Sequence, residues 1–376
     1  MNWSIKLFRV RGIDVKVHMT FVLILVWAAY RWSSGSGAGF QGALFGVVAT
    51  LLLFVAVTLH EFGHSFQALK YNIPVKDITL MPMGGLARME EIPEDPVKEL
   101  RIALAGPLVN FTLFGLLVAL GAVLSMRSVI SISELLRSLG ETNWSGMLAY
   151  LTMANLALGV FNLIPAFPMD GGRVFRALLA MKLDYSKATT IAVRVGQGLA
   201  WLLGLWGLLS GSYTLILIAI VVWMGASGEG RETEAKSVLG EIKVKRAMTH
   251  NPEILTTQDT LSRAVDLTLS SSQSDFPVVE RGGEEVVGLL TEKDLLSGLK
   301  SKGESAAVGE VMQRRFATAM PEDPLYEVQR RMATAKTKTV PVINPAGQLL
   351  GLLTSEDINE AYSLFSIRPQ LASATQ

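Results

Sequence analysis

Apolar and polar residues are distributed very differently in the two parts of the chain. Up to residue 226, long apolar runs alternate with short polar segments, whereas residues 229–365 have the mixed composition of a soluble domain. A bilayer span needs about 20 mainly apolar residues. Runs that approach or reach this length lie at 17–34, 42–69, 100–125, 146–164, 189–209 and 213–226. Residues 1–226 are therefore predicted to form a polytopic α-helical membrane domain with about six transmembrane helices.

One apolar segment does not fit this helical pattern. The segment from Ile73 to Glu91 is too short and too rich in proline and glycine to cross a bilayer, and strand-like runs flank the MGG at 83–85. This arrangement predicts a β-hairpin. Because the hairpin is apolar, we expect it to be re-entrant, which a membrane tolerates only where protein covers the backbone.

The soluble part is a tandem repeat. The sequence FPVVERGGEEVVGLLTEKDLL in the first copy corresponds to VPVINPAGQLLGLLTSEDIN in the second. Each copy is predicted to contain a helix, a short strand pair and a helix, and would leave an apolar face exposed if it stood alone. We therefore predict two paired α/β domains, at 241–304 and 305–365. A flexible linker at 227–240 precedes them, and a C-terminal tail at 366–376 follows.

Composition narrows the chemistry that this chain can perform. Its 376 residues carry a formal net charge of +1, which argues against nucleic acid as a partner, because such partners normally require a basic surface. The chain contains no cysteine, and this excludes disulfides, thiolate ligands and cysteine nucleophiles. Any bound metal must therefore be held by imidazole or carboxylate groups.

The sequence LLLFVAVTLHEFGHSFQAL, residues 51–69, places three ionisable side chains inside an apolar span. On a helix His60 and His64 share one face and can bind the same metal ion, with Glu61 beside them as a candidate general base. Ionisable groups inside a span cost about 2.5–3.5 kcal/mol each on insertion scales, so they need a compensating partner. We predict a metal site, with a polar cluster hydrogen-bonded to neighbouring helices as the alternative.

A catalytic zinc site usually has three protein ligands. The other histidines, His18 and His250, lie near the start of the first span and in the soluble part. Asp170 is a better candidate because it follows two prolines that break the fourth span, and a carboxylate in such a place is commonly functional. Asp170 would equally well cap the helix predicted to begin near Arg173, so the residues alone leave both roles open.

Three motifs in the membrane part follow one another in a recognisable order. HEFGH at 60–64, AGPLVN at 105–110 and NLIPAFPMDGG at 162–172 together resemble the site-2 protease family of intramembrane zinc metalloproteases. The resemblance covers the whole predicted membrane domain. It implies that His60, His64 and Asp170 bind one Zn²⁺ ion and that Glu61 is the general base.

Two asparagines belong to the same motifs. The resemblance implies that Asn162 orients the substrate or stabilises the oxyanion, whereas capping of the carbonyls freed by the broken helix is the alternative role. Asn110 is expected to serve helix packing beside Gly106 and Pro107.

The repeats carry a signature of their own, GLLTEKDLL in the first copy and GLLTSEDIN in the second. The signature resembles that of CBS (cystathionine β-synthase) domains, which implies that Thr291, Asp294, Thr354 and Asp357 bind the ribose or phosphates of ATP, ADP or AMP. The alternative is that each threonine caps the helix that follows it, with an acidic residue three positions later. A homodimer formed through the CBS domains is a further expectation.

The predicted protein is an intramembrane zinc endopeptidase that cleaves transmembrane segments, with activity modulated by adenine nucleotide. Its expected substrate is a single-span membrane protein or a signal-peptide remnant. The alternative from another class is a membrane transporter or channel gated by the CBS pair, although the spans show no internal symmetry of the kind common in transporters.

Lysine and arginine predict the orientation of the spans. They concentrate in the segments 1–16, 70–101 and 173–187, and short loops rich in these residues stay on the cytoplasmic side. We therefore expect a multi-pass protein of the cell membrane whose N-terminus and CBS module are both cytoplasmic.

Overall fold

The computed structural model describes residues 3–35, 37–89, 94–124, 137–138, 140–271, 273–280 and 282–367. The chain folds as two compact units, Met1–Gly230 and Arg231–Gln376. Most of the tail predicted at 366–376 lies outside the described residues.

The first unit combines a small sheet with a set of mostly long helices. Its described strands are β1 Ser4–Val10, β2 Ile13–His18, β3 Val75–Met81 and β4 Gly84–Met89. Its described helices are α1 Phe21–Gly35, α2 Gly39–Lys70, α3 Pro96–Leu124, α4 Trp144–Asn162, α5 Asp170–Ala180, α6 Tyr185–Ser210 and α7 Tyr213–Leu239, the last of which ends in the second unit.

Five of the described helices, α2, α3, α4, α6 and α7, are long and apolar enough to cross a membrane. They confirm the prediction of a polytopic helical membrane part. The first predicted span is the exception, because residues 17 and 18 end strand β2 and helix α1 starts only at Phe21. With 15 residues, α1 rises about 22 Å, which is less than the ~30 Å thickness of a hydrocarbon core.

The hairpin predicted between residues 73 and 91 is present as strands β3 and β4, paired antiparallel. It belongs to a four-stranded sheet of order β1-β2-β3-β4, in which β2 and β3 run parallel. Strands β1 and β2 were not predicted from the sequence. A two-residue turn joins them, and both Arg11 and Gly12 have positive φ, as a type I′ hairpin turn requires.

The sheet is anchored by Asp77, a buried carboxylate on β3. Lys16 on β2 donates to it over 2.7 Å, and Arg88 on β4 donates through Nε and Nη2 over 2.8 and 2.6 Å. These ion pairs join the three strands β2, β3 and β4 side by side. They hold β4 in a fixed position relative to the rest of the sheet.

The prediction of a flexible linker at 227–240 is wrong, because most of this segment is helical. Helix α7 continues through this segment as far as Leu239, and the segment contains three glutamates, which favour helices. Leu239 is buried in the hydrophobic core of the second unit. Packing of this last turn therefore adds tertiary stabilisation to a helix that its three glycines, Gly225, Gly228 and Gly230, would weaken.

The second unit contains both predicted repeats, each with the expected order of helix, strand pair and helix. The first has β5 Leu255–Thr256, α8 Leu261–Ser270, β6 Phe276–Val279, β7 Val286–Leu290 and α9 Glu292–Lys302. The second has α10 Leu325–Ala335, β8 Thr339–Ile343, β9 Leu349–Thr354 and α11 Ser355–Ile367.

The two repeats exchange their opening, lead-in segments. Ile242 and Val244, at the start of the first repeat, pack into the core of the second. Val308 and Met312, near the start of the second repeat, pack into the core of the first. This exchange ties the two copies together, so neither copy buries its apolar surface without the other.

Candidate metal centre

Two histidines and an aspartate from different parts of the chain converge in the first unit. Nε2 of His60 and Nε2 of His64 are 3.0 Å apart, and each lies 3.2 Å from Oδ2 of Asp170. Both histidines are buried, and the aspartate is half-buried. They form the one group of metal-binding geometry found among the described residues.

Helix α2 supplies both histidines, one turn apart on the same face. It crosses α3 closely, since a Cβ on Gly63 would lie 2.7 Å from the carbonyl oxygen of Ala105. The neighbouring Gly106 faces the imidazoles, because a Cβ there would lie 2.1 Å from Nε2 of His64 and 2.7 Å from Cε1 of His60. The rings occupy the space that a side chain at position 106 would fill.

Asp170 reaches the histidines because the chain breaks ahead of it. Helix α4 ends at Asn162, and α5 begins at Asp170 itself, with Met169 in the N-cap position. The intervening loop packs tightly on the start of α5, since a Cβ on Gly171 would lie 2.2 Å from the carbonyl oxygen of Ile164. The aspartate therefore points its carboxylate at the imidazoles, and the N-cap position belongs to Met169, whose side chain makes no capping hydrogen bond.

In each histidine, the hydrogen bond at Nδ1 shows which ring nitrogen carries the proton. The other nitrogen then offers its lone pair to the space beside Asp170. Nδ1 of His64 lies 2.7 Å from the carbonyl oxygen of Ile102, which can only accept, so this nitrogen carries the proton. Nδ1 of His60 lies 2.5 Å from Oδ1 of Asn110. The amide of Asn110 donates from Nδ2 to Oδ1 of Asn155 over 3.1 Å, so its Oδ1 is the group that accepts from His60.

This pattern leaves three lone pairs directed at one point. Neutral imidazoles protonated on Nδ1 offer Nε2 as a ligand atom, and an outer partner on Nδ1 is the usual arrangement at metal-bound histidines. Two such nitrogens and a carboxylate oxygen within 3.2 Å of one another repel unless a cation lies among them. Ligands about 2.1 Å from a tetrahedral zinc ion are about 3.4 Å from one another, so the donor set fits zinc.

Glu61 follows His60 on α2 and is half-buried. Its side chain lies against strand β4, where a Cβ on Gly85 would be 2.6 Å from Cγ and 3.2 Å from Oε1 of the glutamate. The carboxyl group is thus placed between the histidine-bearing helix and the hairpin.

Other sequence-predicted residues lie elsewhere. Asn162 is half-buried at the end of α4 and makes no side-chain hydrogen bond to another described residue. His18 ends β2 and its Nδ1 lies 2.7 Å from the hydroxyl of Thr20, while His250 belongs to the second unit. Asn110, expected only to serve helix packing, is instead the partner of His60. Its signal in the sequence is an amide within an apolar span.

In the CBS module each threonine pairs with the aspartate three residues later. Thr291 caps α9 by accepting from the N–H of Asp294, and its hydroxyl donates to Oδ2 of Asp294 over 2.5 Å. Thr354 and Asp357 form the same reciprocal pair, with 2.9 Å between the hydroxyl and Oδ2. Asp294 also accepts from Nε2 of Gln313 over 2.7 Å. In the structure, Thr291 and Thr354 thus make the hydrogen bonds of helix-capping residues, the alternative role that the sequence left open.

Comparison with known proteins identifies the family. The model of peptidase family M50 matches residues 48–126 and 122–203, and the CBS domain model matches 240–301 and 308–364. The zinc metalloprotease MJ0392 of Methanocaldococcus jannaschii is 37% identical over 373 residues, which cover 99% of each chain. The chain belongs to peptidase family M50, the site-2 protease family.

A second zinc metalloprotease and a solved site-2 protease are also similar along much of the chain. The putative zinc metalloprotease sll0528 of Synechocystis is 29% identical over 95% of each protein. The solved structure of the site-2 protease from Methanocaldococcus jannaschii is 42% identical, covers 61% of this chain and 96% of its own, and superimposes with a TM-score of 0.45.

Membership in family M50 makes this chain a membrane metalloprotease of the site-2 type with a tandem CBS module. The predicted enzyme class and the predicted CBS pair are both confirmed. The alternative function, a transporter or channel gated by the CBS pair, is not supported by these comparisons.

Proposed function

We propose that this M50 peptidase is a zinc-dependent endopeptidase that cleaves transmembrane segments of membrane proteins, with His60, His64 and Asp170 as the zinc ligands and Glu61 as the general base. The observation that carries the proposal is the convergence of three lone pairs within 3.2 Å of one another. Hydrogen bonds on the outer nitrogen of each imidazole support the same assignment.

The residues divide the work of peptide hydrolysis. Zinc, when bound, is a Lewis acid that polarises the scissile carbonyl and makes an attacking water more acidic. Glu61 accepts the proton that this water releases and delivers it to the amine nitrogen as the carbon–nitrogen bond breaks. Its position on the turn that bears both histidines puts the base beside the site of attack. Contact with Gly85 keeps its carboxyl group on that side.

Strand β4 is a suitable docking edge for the substrate. A transmembrane helix hides its carbonyls in internal hydrogen bonds, so the segment around the scissile bond must become extended before it is attacked. The sheet order β1-β2-β3-β4 places β4 at an edge, and an extended peptide can add to such an edge by main-chain hydrogen bonds. Because β4 touches Glu61 at Gly85, a peptide paired with it would lie near the base. A role for Asn162 in orienting this peptide stays a prediction.

We further propose a single-span membrane protein or a signal-peptide remnant as the substrate. The basic segments 1–16, 70–101 and 173–187 support an orientation with the N-terminus and the CBS module in the cytoplasm. This orientation requires an even number of crossings, so the short helix α1 would have to cross together with the five longer helices, with the bilayer thinned around it. Binding of ATP, ADP or AMP at the CBS module, and a homodimer formed through it, also belong to this proposal.

The metal site is tested by zinc content and cleavage together. The purified protein should contain about one zinc ion per chain, and His60→Ala/His64→Ala should lose it. His18→Ala and His250→Ala are matched controls that remove a histidine outside the site and should keep the metal. Full zinc occupancy in the double variant would refute the ligand assignment.

The general base is tested separately with Glu61→Gln. This variant should keep its zinc while cleavage of a single-span substrate falls by a factor of about 10² to 10⁴, the usual contribution of a general base. Cleavage at the wild-type rate would exclude the role of Glu61. The same variant should retain uncut substrate and so allow its isolation from membranes.

A further inference from the structure

Arg176 is a buried charge that follows the proposed zinc ligand Asp170 on the same helix and takes no part in the proposed chemistry. It lies on α5, six residues after Asp170, and only 5% of its surface is exposed. Its Nε and Nη2 donate to Oε1 of Glu99 on α3 over 2.9 and 2.5 Å. Its Nη1 donates to Oε1 of Glu229 on α7 over 2.6 Å. One guanidinium group therefore ties three helices together.

This cluster is costly for the fold. Glu99 is only 1% exposed, and its second oxygen, Oε2, has no hydrogen-bond partner among the described residues. Buried ion pairs of this kind are often less stabilising than apolar residues of the same volume, and an unsatisfied buried oxygen calls for an explanation. A role in positioning the helices that it joins explains the cluster better than a contribution to the free energy of unfolding does.

The pairing of Arg176 with Glu99 connects the helix of Asp170 with the helix that orients the two histidines. Glu99 lies one turn before Ile102 on α3, and the carbonyl of Ile102 orients His64. Asn110, which orients His60, belongs to the same helix. The pair between Arg176 and Glu99 therefore fixes α5, with its ligand Asp170, relative to the helix that orients both imidazoles.

Helix α7 supports the loop before Asp170 along one face. Val222 packs with Ala166 and Met169, and Ala226 packs with Phe167. A Cβ on Gly225 would lie 2.6 Å from Cδ of Pro168. The contacting residues of α7 follow the i, i+3, i+4, i+7 spacing of a single helical face: Val222, Gly225, Ala226 and Glu229.

Arg176 also contacts this loop, since its guanidinium carbon lies 5.0 Å from the centre of the Phe167 ring. The loop before Asp170 is thus in contact with both α7 and Arg176, and Glu229 on α7 bonds to Arg176.

We infer that Arg176 is a positioning residue for Asp170, acting through α5, and that Glu229 makes the position of this ligand depend on helix α7. The inference rests on the proposed zinc site. Loss of the Glu229 contact would let α5 shift without removing any ligand. Zinc affinity and turnover would then fall together, while the affinity for substrate would not change.

The test uses Glu229→Gln in the full-length protein, with zinc affinity measured by competition against a chelator. Only 24% of the Glu229 side chain is exposed, so removing its charge weakens the ion pair with Arg176. The variant removes no fully buried charge, and it should therefore fold. We expect about tenfold weaker zinc binding, the lower end of what changes around a metal ligand cost, and a lower kcat with an unchanged KM. The matched control is Glu232→Gln, the same change at an exposed position of the same helix, which should bind zinc like the wild type.

Arg176→Lys is the second variant, because it keeps the charge and loses the fork that bonds both carboxylates at once. It should weaken zinc binding at least as much as Glu229→Gln. Wild-type zinc affinity in both folded variants would overturn the inference. Absence of zinc from the wild-type protein would instead overturn the proposed function, so the two failures are distinguishable.

Discussion

At the scale of single residues, the two histidines of the site are oriented by different kinds of partner. His64 bonds to a backbone carbonyl, that of Ile102, which no substitution can remove, whereas His60 depends on the side chain of Asn110. Losing that acceptor frees the ring of His60 to rotate and to change tautomer. The metal site is therefore more vulnerable to mutation on the His60 side.

Asn110→Ala should weaken zinc binding by a factor of about 10 to 100, the usual effect of removing a partner of a metal-bound histidine. Asn155→Ala, which removes the group that orients Asn110 but leaves Oδ1 of Asn110 in place, should have a smaller effect. Chelator competition on the purified variants measures both. Equal zinc affinity in Asn110→Ala and the wild type would show that the imidazole of His60 is held by other contacts.

Gly106→Ala should expel the metal. The added methyl group would lie 2.1 Å from Nε2 of His64, so the imidazoles must move off the point where the three ligand atoms meet. Gly115→Ala, on the same helix, is the matched control because a Cβ at Gly115 meets nothing within 4 Å. Zinc content should fall in the first variant alone, and full occupancy in Gly106→Ala would contradict the packing described here.

Some residues of the candidate site could be predicted from the sequence, for a physical reason. His60, Glu61 and His64 lie within one helical turn, so their grouping depends on local geometry alone. Asp170 is separated from His64 by 106 positions. Its place after the broken span made it a candidate, and only the resemblance to site-2 proteases favoured the ligand role over the capping role. The partnership of Asn110 with His60 depends on how α3 crosses α2, which no spacing along the chain encodes.

At the scale of elements, strand β4 of the hairpin makes one close contact with Glu61, the proposed general base. Gly85 lies so near Glu61 that a Cβ would approach its Cγ to 2.6 Å. The hairpin therefore needs a glycine at this position to lie against the base. It also follows that the shape of the hairpin influences Glu61 and not the ligand atoms directly.

Gly85→Ala should lower kcat while the zinc content stays at the wild-type level. The reason is that the methyl group displaces the carboxyl of Glu61, whereas His60, His64 and Asp170 are left in place. Cleavage of a single-span substrate measures kcat, and zinc analysis of the same preparation measures the metal content. Unchanged cleavage would show that Glu61 has room to move aside, and loss of zinc would show that the hairpin also supports the ligands.

Strand β2 and the helix at 227–239 were not predicted from the sequence, for different reasons. Strand β2 has apolar residues at alternating positions, Ile13, Val15 and Val17, a period-2 signal that was available. The signal was missed because an apolar run follows it at once and dominates the hydropathy of the region. The helix at 227–239 was missed because its glycines suggest a linker, and its stabilisation comes from Leu239 in the core of the second unit.

At the scale of the whole molecule, the division into a membrane part and a tandem repeat was visible in the distribution of apolar residues. The exchange of lead-in segments between the repeat cores was not, since Ile242 and Val308 look like ordinary apolar positions in either copy. Helix α7 carries Glu229 in the first unit, and it ends at Leu239 in the core of the second repeat.

Adenine nucleotide should therefore alter cleavage through Glu229. ATP, ADP or AMP bound at the repeats would have to replace hydrogen bonds that Thr291 and Thr354 now make to Asp294 and Asp357. Such a ligand regulates only if it favours one arrangement of the repeats over another, and a coupling of about 1–3 kcal/mol is ordinary. Calorimetry on the full-length protein measures binding, which Asp294→Ala and Asp357→Ala should each weaken.

Transmission to the active site is tested by the cleavage rate with and without each nucleotide. Glu229→Gln should bind nucleotide like the wild type and lose the response of cleavage to it, because α7 would no longer act on Arg176. Glu232→Gln should keep both binding and response. A response that persists in Glu229→Gln would place the coupling outside the Arg176 cluster. Undetectable binding at millimolar nucleotide would leave the repeats as a docking or dimerisation module.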